Sequence, residues 1–503
     1  MDNAAALFVD APVEEGHGAR PALLTPSGPI TYGELQRLTD RAAHALRSQG
    51  VEPEQRVALL LSDGPAWAAT FFAALKLGAV AVPLNTRLDA AQLRTFLADC
   101  RPKAVVTDRA GPATAGAEEA AALGPRAIDF DTLVAGAPAA SLAPEPVGGD
   151  AMAFWLYTSG TTGSPKAAVH CHRTLPACHN YLDVLGVTAA DRIFATSKLF
   201  FAYALGNALL IPLRARATTY LHPGWPDPAA TAAVMREVRP TLFFSVPTVY
   251  ARLLHADLPA ETFASARLCV SAGERLPPEI YAAWRERFGV EILEGIGATE
   301  TIFMVLANRP GRSRAGSSGE PVPGTEARIL DAEGRPVPEG EEGVLWVRTP
   351  SQAAGYWQRL DHSRRTFVGD WFRTGDVYRR EADGGHVHCG REDDFFKVAG
   401  QWVAPAAIES VLLRHPGVLD GGVVGAEAGG GLIKPFVFVV PRDPAAEPEE
   451  LRAEVRRFLE GALPPHQRPR EIRVLRELPR TATGKLQRFR LRELVRDAVA
   501  DGR

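Results

Sequence analysis

Between positions 157 and 166 the chain reads Tyr157-Thr158-Ser159-Gly160-Thr161-Thr162-Gly163-Ser164-Pro165-Lys166. Glycines let a backbone approach an anion closely, and successive N–H groups in a turn make an anion-binding concavity. Thr158, Ser159, Thr161 and Thr162 add hydroxyl donors and Lys166 adds a point charge, a set suited to a polyphosphate. The apolar run 152–157 predicts a buried strand, so the loop leaves a strand end, where α/β proteins place ligands. This is not the common P-loop, which has four residues between its glycines and Gly-Lys followed by Ser or Thr. Here only Thr161 and Thr162 separate Gly160 from Gly163, and Pro165 precedes Lys166. Kinase and GTPase readings lose support, and the bland alternative is a Ser/Thr/Gly-rich surface loop.

A second stretch, Glu294-Gly295-Ile296-Gly297-Ala298-Thr299-Glu300, is read as a strand (290–293) ending in glycines, then a hydroxyl and a carboxylate. Near a triphosphate, Glu300 suits Mg²⁺, which prefers carboxylate and phosphate oxygens, and Thr299 suits the α-phosphate. In Trp371-Phe372-Arg373-Thr374-Gly375-Asp376, an aspartate at the end of a Thr-Gly turn is placed to accept hydrogen bonds from vicinal ribose hydroxyls. Arg391, in the charged segment Gly390-Arg391-Glu392-Asp393-Asp394, adds a further ribose or phosphate contact. That segment runs into Phe395-Phe396-Lys397-Val398-Ala399-Gly400-Gln401-Trp402, which reads as a hinge followed by a loop. Near the C-terminus, Lys485 follows a Thr-Gly pair. Taken singly, each has a structural reading that competes well: an exposed glutamate, a Gly-Asp turn, a solvated charge run, a solvated lysine.

The elements that must position these groups are legible in outline. Short apolar runs at 56–61, 79–83, 104–107, 241–246 and 266–271 predict buried strands, with helical patterns such as 31–48 and 228–238 between them. That alternation predicts an α/β protein: a large N-terminal domain (1–391) of two helix-covered parallel sheets, with a β-rich subdomain at about 320–391. A small α+β C-terminal domain (392–503) follows, with a strand at 435–440 and an amphipathic helix at 449–463. Chain length (503 residues), 46% apolar content and 23% charged content suit a multidomain globular protein. A net charge of −3 implies neither a nucleic-acid partner nor a membrane partner. The five cysteines, with no Cys-x-x-Cys pair, point to a reducing, cytoplasmic setting. The apolar stretch 68–84, broken by Lys76 and Gly78, predicts a helix and a strand, not a membrane span.

These segments, in this order, resemble the adenylate-forming superfamily over nearly the whole chain, and most nearly its benzoate-CoA ligases. The run Ser197-Lys198-Leu199-Phe200-Phe201-Ala202-Tyr203-Ala204-Leu205-Gly206-Asn207 is similar to their aryl-pocket segment, and Ser271-Ala272-Gly273-Glu274 and 314–319 are similar too. The resemblance implies ATP-dependent activation of an aromatic carboxylic acid to an acyl-adenylate, then transfer to coenzyme A. An alternative acceptor is a carrier-protein thiol or an amine. A silent binder of an adenylate is disfavoured, since Lys485 and Glu300 are present. By resemblance, Lys485 bridges carboxylate and α-phosphate, and Glu300 holds Mg²⁺. The nucleotide lies along 158–163, Lys166, Ala272, Gly273, Glu274, Glu294, Gly295, Ile296, Gly297, Asp376 and Arg391. The ring meets Phe201, Ala202, Tyr203, Ala272, Gly273, Gly295, Ile296 and Phe303, with the Tyr203 hydroxyl offered to a ring substituent. Asp393 is the pivot of a mobile C-terminal domain, and Val398, Ala399, Gly400, Gln401 and Trp402 shape the thiol tunnel. Lys397 and Arg173 are candidates for the CoA 3′-phosphate. The family pattern has histidine at position 303 and serine at 298, where this chain has Phe303 and Ala298. The expected assembly is a monomer or homodimer.

Overall fold

The computed structural model describes residues 3–108, 126–158, 166–399, 401–427, 432–480 and 486–500. The fold is mixed α/β and multidomain, in two compact units: Met1–Ala327 with Val347–Arg373, and Arg328–Trp346 with Thr374–Arg503. The β-rich stretch expected from about 320 therefore contributes to both.

The first unit carries two large sheets. One runs Gly355–Tyr356, Lys166–Cys171, Met152–Thr158, Val80–Pro83, Arg56–Leu60, Ala104–Thr107, Arg126–Asp129. Its last five strands are parallel, while Lys166–Cys171 pairs antiparallel with both of its neighbours, Met152–Thr158 and Gly355–Tyr356. The other has a parallel centre that includes Arg192–Ala195, Leu242–Ser245, Leu268–Ser271 and Ile292–Gly297, with an antiparallel edge formed by Met304–Ala307 and Glu320–Pro321. The expected parallel sheets carry antiparallel strands at these edges. Alternation with helices signals the parallel centre, whereas the short edge strands carry no such signal.

Helices begin where local chemistry starts them. Tyr32–Ser48 is capped by Thr31, whose hydroxyl accepts from the Glu34 N–H at 3.2 Å while Glu34 accepts from the Thr31 N–H at 2.8 Å, a reciprocal cap worth about 1 kcal/mol. Pro65–Lys76 is buried on every side, and the Val80–Pro83 strand follows it. Trp67, Phe71, Phe72 and Phe154 sit in one apolar cluster, each full burial contributing roughly 1.5–3 kcal/mol. Lys76 ends this helix inside the core and is held by Asp10 at 2.8 Å and Asp40 at 2.5 Å.

In the second unit the part of the Trp371–Arg380 strand from Asp376 onward pairs antiparallel with His386–Arg391. Beyond it lie a short hairpin (Phe396–Val398, Gln401–Val403) and a sheet of Val418–Glu427, Ile433–Pro441 and Glu471–Val474. The Pro405–Leu412 and Pro448–Ala462 helices close its core through Ile408, Val455 and Leu459 against Val423 and Val437. No described helix is long and apolar enough to cross a membrane.

Candidate active site

The phosphate-loop residues Ser159, Gly160, Thr161, Thr162 and Gly163 lie outside the described residues, but the frame that presents them is in view. Thr158 and Lys166 are cross-strand partners in an antiparallel pair, so the loop joins a hairpin. Tyr157 donates its hydroxyl to Asp99 at 2.8 Å, and the same carboxylate pairs with Arg359 at 3.0 Å. The Lys166 ammonium lies 5.8 Å from the centre of the Tyr356 ring. It is also the leading reason that His362 stays below the usual histidine pKa.

Glu300 is presented from the far end of the Ile292–Gly297 strand. That strand runs through the glycines, where the sequence reading ended it at 293, because they are paired with Met304–Ala307. A Cβ on Gly295 would stand 2.8 Å from the Leu306 carbonyl oxygen, and one on Gly297 2.7 Å from that of Phe303, so the hairpin itself requires both glycines. In the connecting turn Thr301 Oγ1 accepts from the Ala298 N–H at 3.1 Å, and buried Ile302 takes φ +51°, strained for a β-branched residue.

Three contacts then fix Glu300. Burial pushes the His170 pKa down to about 4, so its ring is neutral, and Nε2 donates to the Thr299 carbonyl at 2.8 Å. The Ala353 N–H donates to the Glu300 carbonyl at 2.7 Å. The Tyr356 hydroxyl donates to Glu300 Oε1 at 2.5 Å. His170 is further locked by stacking on Phe154 at 4.7 Å. Neither His170 nor Tyr356 was singled out by sequence reasoning. Their only signals are a histidine in a strand and a Gly-Tyr pair, both common in cores. Among the described residues no group of three or more His, Cys, Asp and Glu side chains is arranged to hold a metal. A lone half-buried carboxylate suits an ion that arrives on a nucleotide and keeps phosphate and water ligands.

Glu294, on the same strand, behaves differently. Its Oε1 accepts from the Leu276 N–H at 3.2 Å, and burial raises its pKa to about 8, so at neutral pH it is a protonated part of the core. Beside it, in register across parallel strands, lies Ser271, followed by buried Ala272 and by Gly273 at φ +90°. Glu274 and Ile296 are half-buried.

The aryl segment starts from a buried ion pair that sequence reasoning missed. Lys198 stands 3.6 Å from Asp63 and donates to the His222 carbonyl at 2.6 Å, while Asp63 accepts from the Leu199 N–H at 3.1 Å. Burial lifts Asp63 to about 6 and lowers Lys198. The pair anchors Phe201, whose ring lies 4.5 Å from Phe200 and 6.4 Å from Trp225. Ala202 and Tyr203 follow in a short helix that widens into a π-helix over Leu205–Leu210. The Tyr203 hydroxyl donates to the carbonyls of Ser245 (3.1 Å) and Val270 (2.9 Å), so the expectation that it is offered to a ring substituent is corrected. Phe303 is buried, and a Cβ on Gly206 would come within 3.1 Å of its ring.

In the second unit Asp376 and Arg391 oppose one another across a strand pair and meet at 3.1 Å. Asp376 is inside a strand, where the sequence reading had a turn. Thr374 Oγ1 donates to the Leu345 carbonyl at 2.8 Å and accepts from the Asp376 N–H at 3.0 Å, and Arg391 also donates to the Thr374 carbonyl at 3.0 Å. His388, which sequence reasoning passed over, reaches Asp376 at 3.4 Å. Asp393 lies in a short 3₁₀ turn, Glu392–Asp394, whose Asp394 is held by Arg488 (3.4 Å) and Arg492 (3.2 Å). Val398, Gln401 and Trp402 belong to a hairpin, which replaces the expected loop, with Ala399 at its tip at φ +49° and Gly400 outside the described residues. Trp402 is 61% exposed, with Lys397 Nζ 4.7 Å from its ring. Arg173 is exposed and pairs with Asp150. Lys485 lies outside the described residues, next to Leu486, which bridges to Arg480.

Residues 11–357 match the AMP-binding enzyme family, and residues 407–485 match the AMP-binding enzyme C-terminal domain. A 3-hydroxybenzoate–CoA ligase of Aromatoleum sp. (strain CIB) is 39% identical over 508 residues, spanning 98% of this chain and 97% of that protein. The solved structure of a benzoate CoA ligase from Burkholderia xenovorans LB400 is 39% identical, with a TM-score of 0.90 over 98% of this chain and 100% of that one. The anthranilate CoA ligase AuaEII, solved in complex with anthranoyl-AMP, is 34% identical, with a TM-score of 0.92 over 99% of this chain and 98% of that one. The chain therefore belongs to the AMP-binding, adenylate-forming enzymes.

Proposed function

We propose that the protein is an AMP-forming aryl acid:CoA ligase. A benzoate-type carboxylate oxygen attacks the α-phosphorus of ATP, the bond to pyrophosphate breaks, and an aryl-adenylate forms. The CoA sulfur, its proton passed to solvent, then attacks the acyl carbon. The bond to AMP breaks and aryl-CoA leaves. The observation that carries this reading is end-to-end similarity to ligases named for benzoate and hydroxybenzoate. An anthranoyl-AMP complex of a relative with the same fold supports the adenylate intermediate.

Neither step needs a covalent enzyme intermediate, so the residues act by positioning and charge stabilisation. In this reading Thr158, the loop 159–163 and Lys166 take the β- and γ-phosphates, with Thr299 at the α-phosphate. Glu300 would hold the Mg²⁺ carried by the nucleotide, which would supply neutralisation of phosphate charge. Asp376 and Arg391 take the ribose hydroxyls, and the fixed ion pair between them supports that role by setting the carboxylate in one orientation. Lys485 bridges the carboxylate and the α-phosphate in the first step. The C-terminal domain (392–503) turns about Asp393 between steps, and 398–402 then shapes the thiol tunnel. The ring packs between Phe201, Ala202, Ala272, Gly295, Ile296 and Phe303, an apolar set suited to a flat ring. We place the enzyme in the cytoplasm, a reading supported by five cysteines of which none is in a disulfide.

The test is incubation of the purified protein with ATP, Mg²⁺ and a panel of aryl acids, with and without CoA, following pyrophosphate release and products by mass. Aryl-CoA from one benzoate class is the expected outcome. Pyrophosphate or aryl-AMP without thioester would overturn CoA as the acceptor, and no turnover of any aryl acid would overturn the substrate class.

A further inference from the structure

One short segment, 353–357, touches both the carboxylate that faces the metal and the strand that returns from the phosphate loop. The Ala353 N–H donates to the Glu300 carbonyl at 2.7 Å, the Ala354 N–H to Val169 at 2.8 Å, and the Trp357 N–H to Ala167 at 2.9 Å. Tyr356 stands opposite Ala168 in the same pairing. From there its ring faces Lys166, and its hydroxyl makes the 2.5 Å bond to Glu300 Oε1. The ring is held from behind by Phe367, 5.4 Å away, and its backbone N–H donates to Ser363 Oγ at 2.9 Å. Trp357, the next residue, is fixed by tilted stacking on Trp155 at 4.5 Å.

We propose that Tyr356 is a positioning residue for Glu300, holding one carboxylate oxygen so that the other is aimed at the nucleotide's cation. The inference rests on the reading of Glu300 as the metal-facing carboxylate. A freely rotating glutamate must lose side-chain entropy when it binds an ion, and a hydrogen-bonded one has already lost it. A neutral hydroxyl suits this task, because it orients the carboxylate without cancelling the charge that attracts the cation. The backbone clamp at Ala353 and the His170 bond to Thr299 hold the main chain on both sides, leaving the Glu300 χ angles as the freedom that Tyr356 removes. Because Tyr356 is itself paired with the Lys166–Cys171 strand, the cation site and the phosphate grip share one support.

The experiment compares wild type, Tyr356→Phe and Glu300→Gln. The probe is Mn²⁺·ATP binding, followed by the electron paramagnetic resonance of free Mn²⁺. Thioester formation from supplied benzoyl-AMP and CoA serves as the control for an intact second step. Tyr356→Phe keeps the ring for Phe367 and Lys166, and is expected to weaken Mn²⁺·ATP binding about 10- to 100-fold, as loss of an outer partner does at other metal sites, with thioester formation unchanged. Adenylation by this variant should recover at high Mg²⁺. If Glu300→Gln loses binding and Tyr356→Phe binds as wild type does, the proposal is overturned while the reading of Glu300 survives. If neither variant changes binding, Glu300 is not the metal-facing carboxylate and both fall. Equal loss of both steps in Tyr356→Phe would make the tyrosine merely structural, which also overturns the proposal.

Discussion

Glu300 in the first unit and Asp376 in the second are the carboxylates on which the proposed chemistry leans, and their surroundings are opposite. Glu300 meets a neutral tyrosine hydroxyl. Asp376 meets a guanidinium at 3.1 Å and a histidine at 3.4 Å. Among the described residues no cation forms an ion pair with Glu300, which suits a carboxylate that is to draw in a cation. One that is to accept hydrogen bonds from sugar hydroxyls gains from being held rigid by a fixed guanidinium, since its task is orientation rather than attraction. Glu294 makes a third case, six positions before Glu300 on the same strand and turn: buried, protonated and structural.

The comparison breaks most sharply at Glu300. Glu300→Gln keeps the shape and removes the charge, and should lower adenylation by roughly 10²–10³-fold while sparing thioester formation from supplied adenylate. Stopped-flow pyrophosphate release measures it, and a loss under tenfold would mean that the uncompensated charge is incidental. Lys485→Ala should show the same division between steps, and equal damage to both would refute separate duties for the two. Asp376→Asn comes next. Losing one charged hydrogen bond of about 1.5–3 kcal/mol should raise the KM for ATP roughly 10- to 150-fold. Loss of folding stability without a change in KM would make the Asp376–Arg391 pair structural.

Glu294 gives a smaller, pH-dependent effect. Its folded pKa of about 8 lies above the ordinary glutamate value of 4.5, so between these values the folded state holds a proton that the unfolded state has lost. Stability from this group is full below about pH 4.5, falls as pH rises toward 8, and is flat beyond. Glu294→Gln should flatten that decline in denaturant titrations run at several pH values. A slope equal to that of wild type would mean that Glu294 is ionised in the fold. The smallest effect is at His362, which the Lys166 ammonium holds below its usual pKa. Pyrophosphate bound at Lys166 should raise the His362 pKa, seen by NMR of labelled histidine. No movement would separate Lys166 from the anion.

How much of this was legible beforehand follows from where each signal lies in the chain. Asp376, Arg391, Glu300 and Lys166 stand out because charged residues beside glycines are unusual within otherwise apolar or turn-like runs. The Tyr32–Ser48 helix, expected over 31–48, and the buried parallel strands were readable from periodicity. Tyr356, His388 and His170 were not, because each acts through register. Tyr356 reaches Glu300 across 56 positions of sequence, and its significance exists only once Gly355–Tyr356 pairs with Lys166–Cys171. The Tyr203 hydroxyl was misread for the same reason, its acceptors lying 42 and 67 positions away. Gly206, quoted within the aryl segment, and Phe303, read as a separate pocket residue, prove to be a matched pair. Any exchange at 303 thus changes what 206 must tolerate.

The hairpin that joins Thr158 to Lys166 has a consequence for assembly. Its ends close over few residues, so the entropy spent in bringing them together is small. The edge strand Gly355–Tyr356 must return to it from nearly two hundred positions away, a slow kind of pairing to establish. During folding the pairing of Thr158 with Lys166 should thus be in place before Tyr356 reaches Glu300.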